Sequence, residues 1–306
     1  MNDSLPSGVA TLTHLGVIQI AGEDAAKFIH GQLTQDFSLL DQTEARLAAF
    51  CTAKGRMQAT FIGFKRPNSD ILLVCSRDVL AATLKRLSMF VMRAKAKLTD
   101  ASDQFAVYGL TGDATKNIAV NAHPTWAKAD FDAKTIVNLY PADGVARQLS
   151  VAPVDEPRPA GESVPLDTWL WSEVRSGVAT LTAPVVEAFV PQLLNYESIG
   201  GVNCTKGCYP GQEIVARSQF RGTLKRRTFL AHAEVAMAVG DEVFSAVDAD
   251  QPAGLVVQSA AAPQGGFDAL VSVQLSAVDA GALHLKSSLG AALLLLPLPY
   301  SLLADI

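Results

Sequence analysis

The stretch FVPQLLNYESIGGVNCTKGCYPGQEIVARSQFRGTLKRR, residues 189 to 227, carries the most information in this chain. It begins as a loop rich in Gly and Asn and then turns helical near Gly211. Glu213, Arg217 and Arg221 follow at i, i+4 and i+8, which puts them on one face. Gly222 provides a stop, and Ile214 and Val215 point elsewhere to seat the helix on a core. From Lys206 to Arg227 there are six basic residues (Lys206, Arg217, Arg221, Lys225, Arg226, Arg227) and one acid, in a chain whose net charge is -5. That contrast suggests an anionic partner. Cys208 has two readings from physics alone. A following helix N-terminus and a nearby cation, Lys206, would favour the thiolate. Equally, it is a small, inert thiol among glycines that serve tight backbone geometry.

Working outward, 306 residues exceed one ordinary core and suit two or three domains. With 49% hydrophobic and 18% charged residues the chain is globular rather than disordered. Its acidic balance tells against a surface devoted to nucleic acid. The N-terminal stretch MNDSLPSGVATLTHLG does not have the pattern of a signal peptide, and GAALLLLPLP is far below the roughly 18 to 20 apolar residues that span a bilayer. A cytoplasmic protein that does not enter membranes is expected. Cys51, Cys75, Cys204 and Cys208 do not form a disulfide framework, and the spacing of Cys204 and Cys208 is not CxxC, so neither disulfides nor a metal site is expected. His14, His30, His123, His232 and His284 are scattered, and there is no GxSxG, Walker-type or GxGxxG motif.

THLGVIQIAG reads as a strand, and GEDAAKFIHGQLTQD as a helix with Ala25, Phe28, Ile29 and Leu33 on its apolar stripe. Residues 45 to 76 read as strands, with Lys54, Gly55 and Arg56 in one turn and RPNSD in the next. A helix over 78 to 92 follows, with Ser76 as its cap. FAVYGL, NIAV and TIVNLY are short strands, and DEPRPAGESVP is a surface linker with a boundary near 155 to 165. LDTWLWSEVRSG is a short helix with Asp167 as N-cap, Gly177 as stop and Leu166, Leu170 and Val174 on one face. From Thr228 onward short strands repeat without a helix, which predicts a closing barrel or sandwich.

The quoted stretch strongly resembles the signature of the YgfZ-type folate-binding proteins, relatives of the glycine-cleavage T-protein. LTHLGVIQIAGEDAAKFIHGQLTQD, AAFCTAKGRMQA, RAK at Arg93 to Lys95, WLWSEVRSG and LPLPYSL agree in order, so the resemblance covers nearly the whole chain. It implies an α+β fold: a three-lobed ring of two α+β domains and a C-terminal β-barrel. The expected divisions are 1–48 with 160–224, 49–159, and 225–306. It also implies that a central hole takes tetrahydrofolate, with Trp169 near the pterin side. Cys208 is then the functional thiol, expected at that folate cavity, with Lys206 its companion. Tyr209, Gln212, Glu213, Arg217 and Arg221 join Lys54 and Arg56 as folate-binding residues. The implied role is support for assembly or repair of iron-sulfur enzymes, including those that thiolate tRNA, with folate and iron-sulfur enzymes or their assembly proteins as partners. Direct contact with nucleic acid is not part of that expectation.

The T-protein branch transfers an aminomethyl unit to tetrahydrofolate and uses a carboxylate on the strand after the first glycine turn. Here that strand, KGRMQATFIGF, has no Asp or Glu, which tells against aminomethyl transfer and leaves a folate-dependent aminomethyl- or methyl-transferase of the T-protein type as the alternative reading. Cys204 stands where the family usually has an aromatic residue four before the signature cysteine. Trp171, two residues from Trp169, cannot share its helix face.

Overall fold

The computed structural model describes residues 5–116, 124–220, 224–246 and 248–303. The first half runs β1 (Gly8–Thr11), β2 (Leu15–Ala21), α1 (Ala25–His30), β3 (Ala45–Cys51), β4 (Met57–Lys65), β5 (Ile71–Ser76), α2 (Arg77–Ser88) and β6 (Lys97–Asp100). Then come β7 (Phe105–Thr111), β8 (Lys128–Phe131), β9 (Lys134–Asn138), β10 (Arg147–Pro153), α3 (Leu166–Arg175) and α4 (Gln212–Phe220). The chain closes with β11 (Arg226–Ala233), β12 (Glu242–Ser245), β13 (Asp248–Ala261), β14 (Phe267–Gln274), α5 (Leu275–Asp279), β15 (Leu283–Leu285) and β16 (Ala292–Leu296).

These strands sort into two five-stranded sheets and one barrel. The first sheet has the order β3-β4-β5-β2-β6, the second β1-β7-β10-β9-β8, and the barrel closes as β11-β14-β13-β12-β15-β16. Alternation along β2 explains why its sequence is apolar almost throughout. Ile18 and Ile20 enter a core with Phe28 and Ile29 of α1 and Leu80 and Leu87 of α2. Leu15 and Val17 enter a second core with Val107, Leu149, Val151 and Trp169. The first sheet is therefore a middle layer, helices on one face and the second sheet on the other, and both faces of its strands need apolar side chains. A third core joins Leu47, Met57 and the 174–199 segment to Leu230, Val257 and Leu270 of the barrel.

The α+β architecture with a C-terminal barrel is as expected, but the strands divide differently from the expected boundaries. The divide between 48 and 49 would cut β3, which pairs with β4 along its length from Ala45 to Cys51. Hydrogen bonding instead groups residues 15–100 in one sheet and residues 8–11 with 105–153 in the other. The DEPRPAGESVP segment is not free linker: the Val9 amide donates to the Glu162 carbonyl at 2.8 Å, and the Val164 amide to the Val9 carbonyl at 2.9 Å. It is held on the edge of β1. α2 stops at Ser88, short of 92, and α5 is a helical turn within the region expected to lack one. NIAV and His123 lie outside the described residues. No described helix is long and apolar enough to cross a membrane.

Candidate functional site

α3 begins at Leu166, with Pro165 rather than Asp167 at the N-cap, and Gly177 at φ 72° carries the chain away at its end. Its buried residues are Trp169, Trp171, Ser172, Glu173 and Val174, more than the single face expected. The reason is its position: Trp169 packs into the core between the two sheets, while Trp171 Nε1 donates to Asp268 Oδ2 of β14 in the barrel at 2.8 Å. The Trp169 ring passes so close to Gly109 that a Cβ there would lie 2.3 Å from it, and the Arg147 guanidinium stacks at 4.4 Å from its centroid.

One turn further along α3, Glu173 gathers donors from three parts of the molecule. Trp169 Nε1 donates to Oε1 at 2.8 Å, and His14 Nε2, from the loop between β1 and β2, lies 3.2 Å from the same oxygen. Gln258 Nε2, from the barrel strand β13, donates to Oε2 at 3.3 Å. Burial alone would raise this carboxyl's pKa. The hydrogen bond and charge of His14, the charge of Arg147 and the Trp169 bond outweigh it and hold Glu173 below the usual carboxylate range. Burial pulls Arg147 itself down to about 10, against the opposing pull of Glu173.

Glu173 opens onto a cavity of about 510 Å3 whose lining includes His14, Ser76, Arg77, Leu170, Thr182 and Gln258. Behind it lies a pocket of about 50 Å3 bounded by Thr60, Trp169, Glu173 and Tyr196. Two buried polar atoms of the larger lining, His14 Nδ1 and Thr182 Oγ1, have no hydrogen-bond partner among the described residues. This is a concave space with fixed polar groups where the β1–β2 loop, the start of α2, α3 and the barrel meet, the usual form of a small-molecule site.

The KGCY loop lies elsewhere. Asn203 Oδ1 accepts from the Thr205 amide, the Thr205 hydroxyl and the Lys206 amide, all at 2.9 Å, which folds the chain into a tight turn. Lys206 is buried, and its ammonium donates to the carbonyls of His30, at the end of α1, and of Leu33 at 2.6 Å. It is in effect a cap for α1, where a cation also meets the negative end of the helix. Burial lowers its pKa to about 8, while Asp36 and Cys208 act in the opposite direction. Nζ stands 4.8 Å from the centroid of Tyr209, a buried ring whose hydroxyl pKa is raised by burial.

Cys208 itself is exposed and Cys204 half-buried, the latter pushed up by burial and by the charge of Glu197. After the loop, Gly211 at φ 82° packs against the β3–β4 turn: a Cβ there would lie 2.4 Å from the Thr52 carbonyl and 2.7 Å from Gly55 Cα. Lys54 and Arg56 flank that turn, both exposed, and Arg56 Nη1 donates to the Ala188 carbonyl at 2.9 Å. Gln212 Nε2 reaches the Lys206 carbonyl at 3.5 Å, and Arg217 pairs with Glu213 at 2.9 Å in the open.

The expected site residues thus form two groups. Lys206, Cys208, Tyr209 and Gln212 gather with the turn of Lys54 and Arg56 at one end of the first sheet. Trp169 lines only the small pocket behind the cavity, and none of the other described ones lines either space beside Glu173. Arg221 lies outside the described residues. The basic run does not form one surface, because Lys206 is spent on carbonyls and Arg227 is buried against Glu197. Sequence reasoning missed Glu173, His14, Arg147 and Gln258. The one local signal was a Trp and a Glu at i, i+4 on a short helix, the spacing that brings their side chains together.

No family model matches the chain. It is 28% identical to the tRNA-modifying protein YgfZ of Edwardsiella ictaluri (strain 93-146), over 98% of this chain and 94% of that one. It is 26% identical to the tRNA-modifying protein YgfZ of Hamiltonella defensa subsp. Acyrthosiphon pisum (strain 5AT), over 74% of this chain and 70% of the relative. Among solved structures, the glycine cleavage system aminomethyltransferase T from Bartonella henselae superposes with a TM-score of 0.68 at 13% identity, covering 98% of this chain and 88% of that one. These likenesses bear out the resemblance read from the sequence: the chain is similar to YgfZ proteins along nearly its whole length and has the fold of the aminomethyltransferase T.

Proposed function

We propose that this chain is a tetrahydrofolate-binding accessory protein supporting assembly or repair of iron-sulfur enzymes, including tRNA-thiolating ones, with Cys208 as its reactive thiol. The observation that carries the folate part is the Glu173 cavity. Glu173 is ionised, its side chain is 11% accessible, and Oε2 receives a single long bond among the described residues. A carboxylate in that state suits the paired N–H donors of an aminopyrimidinone ring. His14 Nδ1 and Thr182 Oγ1, unpaired among the described residues, fit the remaining polar edge. Arg77, exposed at the cavity's edge, is the cation that would meet the carboxylate tail, a part the dispersed basic run does not fill.

When bound, tetrahydrofolate supplies a one-carbon carrier. The chain's own residues bind and orient it: Trp169 and His14 fix the Glu173 carboxylate, and Gln258 ties that carboxylate to the barrel. Cys208 stands apart on the outer loop, where a partner can reach it. This supports a reading in which ligand and thiol act at different surfaces. The relatives named tRNA-modifying proteins support the wider role.

Calorimetric titration with tetrahydrofolate tests the reading. Glu173→Gln is expected to weaken binding by about 10- to 100-fold, the range for a lost charged hydrogen bond, and Cys208→Ala to leave affinity within about twofold. No heat with the wild type would remove the folate part. In cells, Cys208→Ala should lower tRNA thiolation, and unchanged thiolation would remove the thiol. A transferase of the T-protein type is the second reading, favoured by Glu173 alone: it supplies in the cavity the carboxylate that β4 lacks, as a fixed negative charge opposite a developing cation. Tetrahydrofolate-dependent ammonia release from an aminomethyl donor would establish it.

A further inference from the structure

We infer that the knuckle after α2 is a docking surface for an acidic protein segment with apolar anchors. From Lys85 to Lys97 the sequence carries five cations (Lys85, Arg86, Arg93, Lys95, Lys97), and it holds no acid between Asp78 and Asp100. On the same turn three large apolar side chains face outward: Met89 is 62% exposed, Phe90 39% and Met92 88%. Their neighbours do the opposite. Leu87 is buried in the core between the first sheet and its helices, and Leu84, Val91 and Ala94 pack against it. The outward set is therefore not a failure to find the core. The knuckle is ordered by bonds from the Phe90 amide to the Leu87 carbonyl at 3.0 Å and from the Ala94 amide to the Val91 carbonyl at 2.8 Å.

Met92 sits at φ 40°, a backbone region that side chains disfavour and glycine takes freely. Its side chain is at the same time the most exposed of the three. Thioether side chains are adaptable and suit a partner's groove. Among the described residues Lys85, Arg93 and Lys97 make no ion pair, so their charge is free for a partner.

The choice of an acidic protein over RNA or a lipid surface rests on two neighbours. Arg86 already stands over one side of the Phe90 ring, 5.5 Å from its centroid, which leaves single-stranded bases less of the aromatic platform they need. Glu23 pairs with Lys95, and Asp24 Oδ2 accepts the Lys95 amide at 2.8 Å, so acids stand beside the cations. A continuous sheet of negative charge would meet those acids as well. A protein segment can set discrete carboxylates against the free cations only.

The test is peptide display selected on the immobilised full chain, with counter-selection on Met89→Ser/Met92→Ser. Expected clones are rich in Asp and Glu with spaced Leu or Phe. Their synthetic peptides should lose about tenfold or more in affinity on Met92→Gly and on Lys85→Glu/Arg93→Glu, and bind more weakly as salt rises. Met92→Gly relieves the backbone strain, so its melting temperature should hold or rise and misfolding cannot mimic the loss. Tetrahydrofolate affinity should not change in either variant, which keeps this result separate from the folate reading. Clones that fail to discriminate the variants, or full binding by Met92→Gly, would overturn the inference. So would loss, in the same variants, of wild-type binding to phosphatidylglycerol vesicles or polyuridine, because either names another class of partner.

Discussion

The Glu173 cavity and the KGCY loop differ in how they use charge. At the cavity a buried carboxylate is held by donors from residues 14, 169 and 258, far apart in sequence, and faces an open volume. At the loop a buried ammonium is held by carbonyls of residues 30 and 33, and the reactive type of side chain, Cys208, faces solvent. A dense local motif has mostly shaped a loop here, while the groups best arranged to hold a ligand carry no motif at all. The consequence for Lys206 is that it acts first as a strut between the loop and α1.

The contrast is sharpest among the cysteines. Burial pushes Cys51 and Cys75 up to about 12 from an ordinary thiol value of 9.0, so each holds far less thiolate than a free thiol at neutral pH, before access is counted. Timed alkylation followed by peptide mass spectrometry should label Cys208 first and Cys204 later. Cys51 and Cys75 should react only on unfolding. If Cys208 reacted as slowly as Cys75, the picture of an outer thiol would break.

Trp169→Ala attacks the other region. The ring is fully buried between Gly109 and Arg147, so the expected loss is about 3–5 kcal/mol in urea unfolding, with tetrahydrofolate binding lost alongside. Trp169→Phe keeps most of the volume but leaves Glu173 without its 2.8 Å donor, and should cost about 1–3 kcal/mol. A Trp169→Phe variant that bound folate as tightly as the wild type would detach the indole N–H from the site.

What could be read in advance follows from how local each cause is. The apolar run of β2 reports two buried faces, and Gly177 ends α3 because a positive φ is needed there. The helix expected to reach residue 92 stops at Ser88 because Val91 goes on meeting the core from a turn, and periodicity records the contact rather than the helix. α5, of five residues, is too short to show a period. Glu173 was invisible for a different reason. A Glu on a short helix reads as a solvated side chain until the second sheet and the barrel close over it, and neither is encoded nearby. The basic run failed similarly, since pairing of Arg227 with Glu197 depends on where β11 meets the 195–204 loop.

Lys206→Met tests the strut with a smaller effect. Removing the ammonium leaves the His30 and Leu33 carbonyls without their donor, and should cost about 1–3 kcal/mol. The pH profile separates charge from packing. Folding lowers this amine's pKa to about 8 from 10.5, so the unfolded chain binds more protons between those values, and the group's contribution to stability rises with pH across that window. Subtracting the Lys206→Met profile from that of the wild type should isolate the rise. A flat difference would mean the amine titrates normally and the strut is not buried in solution.

The smallest effect belongs to Glu213 and Arg217, the exposed pair on α4. Their side chains are 82% and 63% accessible, and the i, i+4 geometry at 2.9 Å is that of ordinary helix-surface pairs. A double-mutant cycle to Ala should give a coupling of about 0.3–0.5 kcal/mol that fades in high salt. Neither residue lines the Glu173 cavity, so calorimetry on the same variants should return wild-type tetrahydrofolate affinity. If Arg217→Ala instead lost affinity for polyglutamylated forms while keeping it for the monoglutamate, the folate tail would have to reach α4. The two regions would then be ends of a single site, and the separation between cavity and loop would no longer describe the molecule.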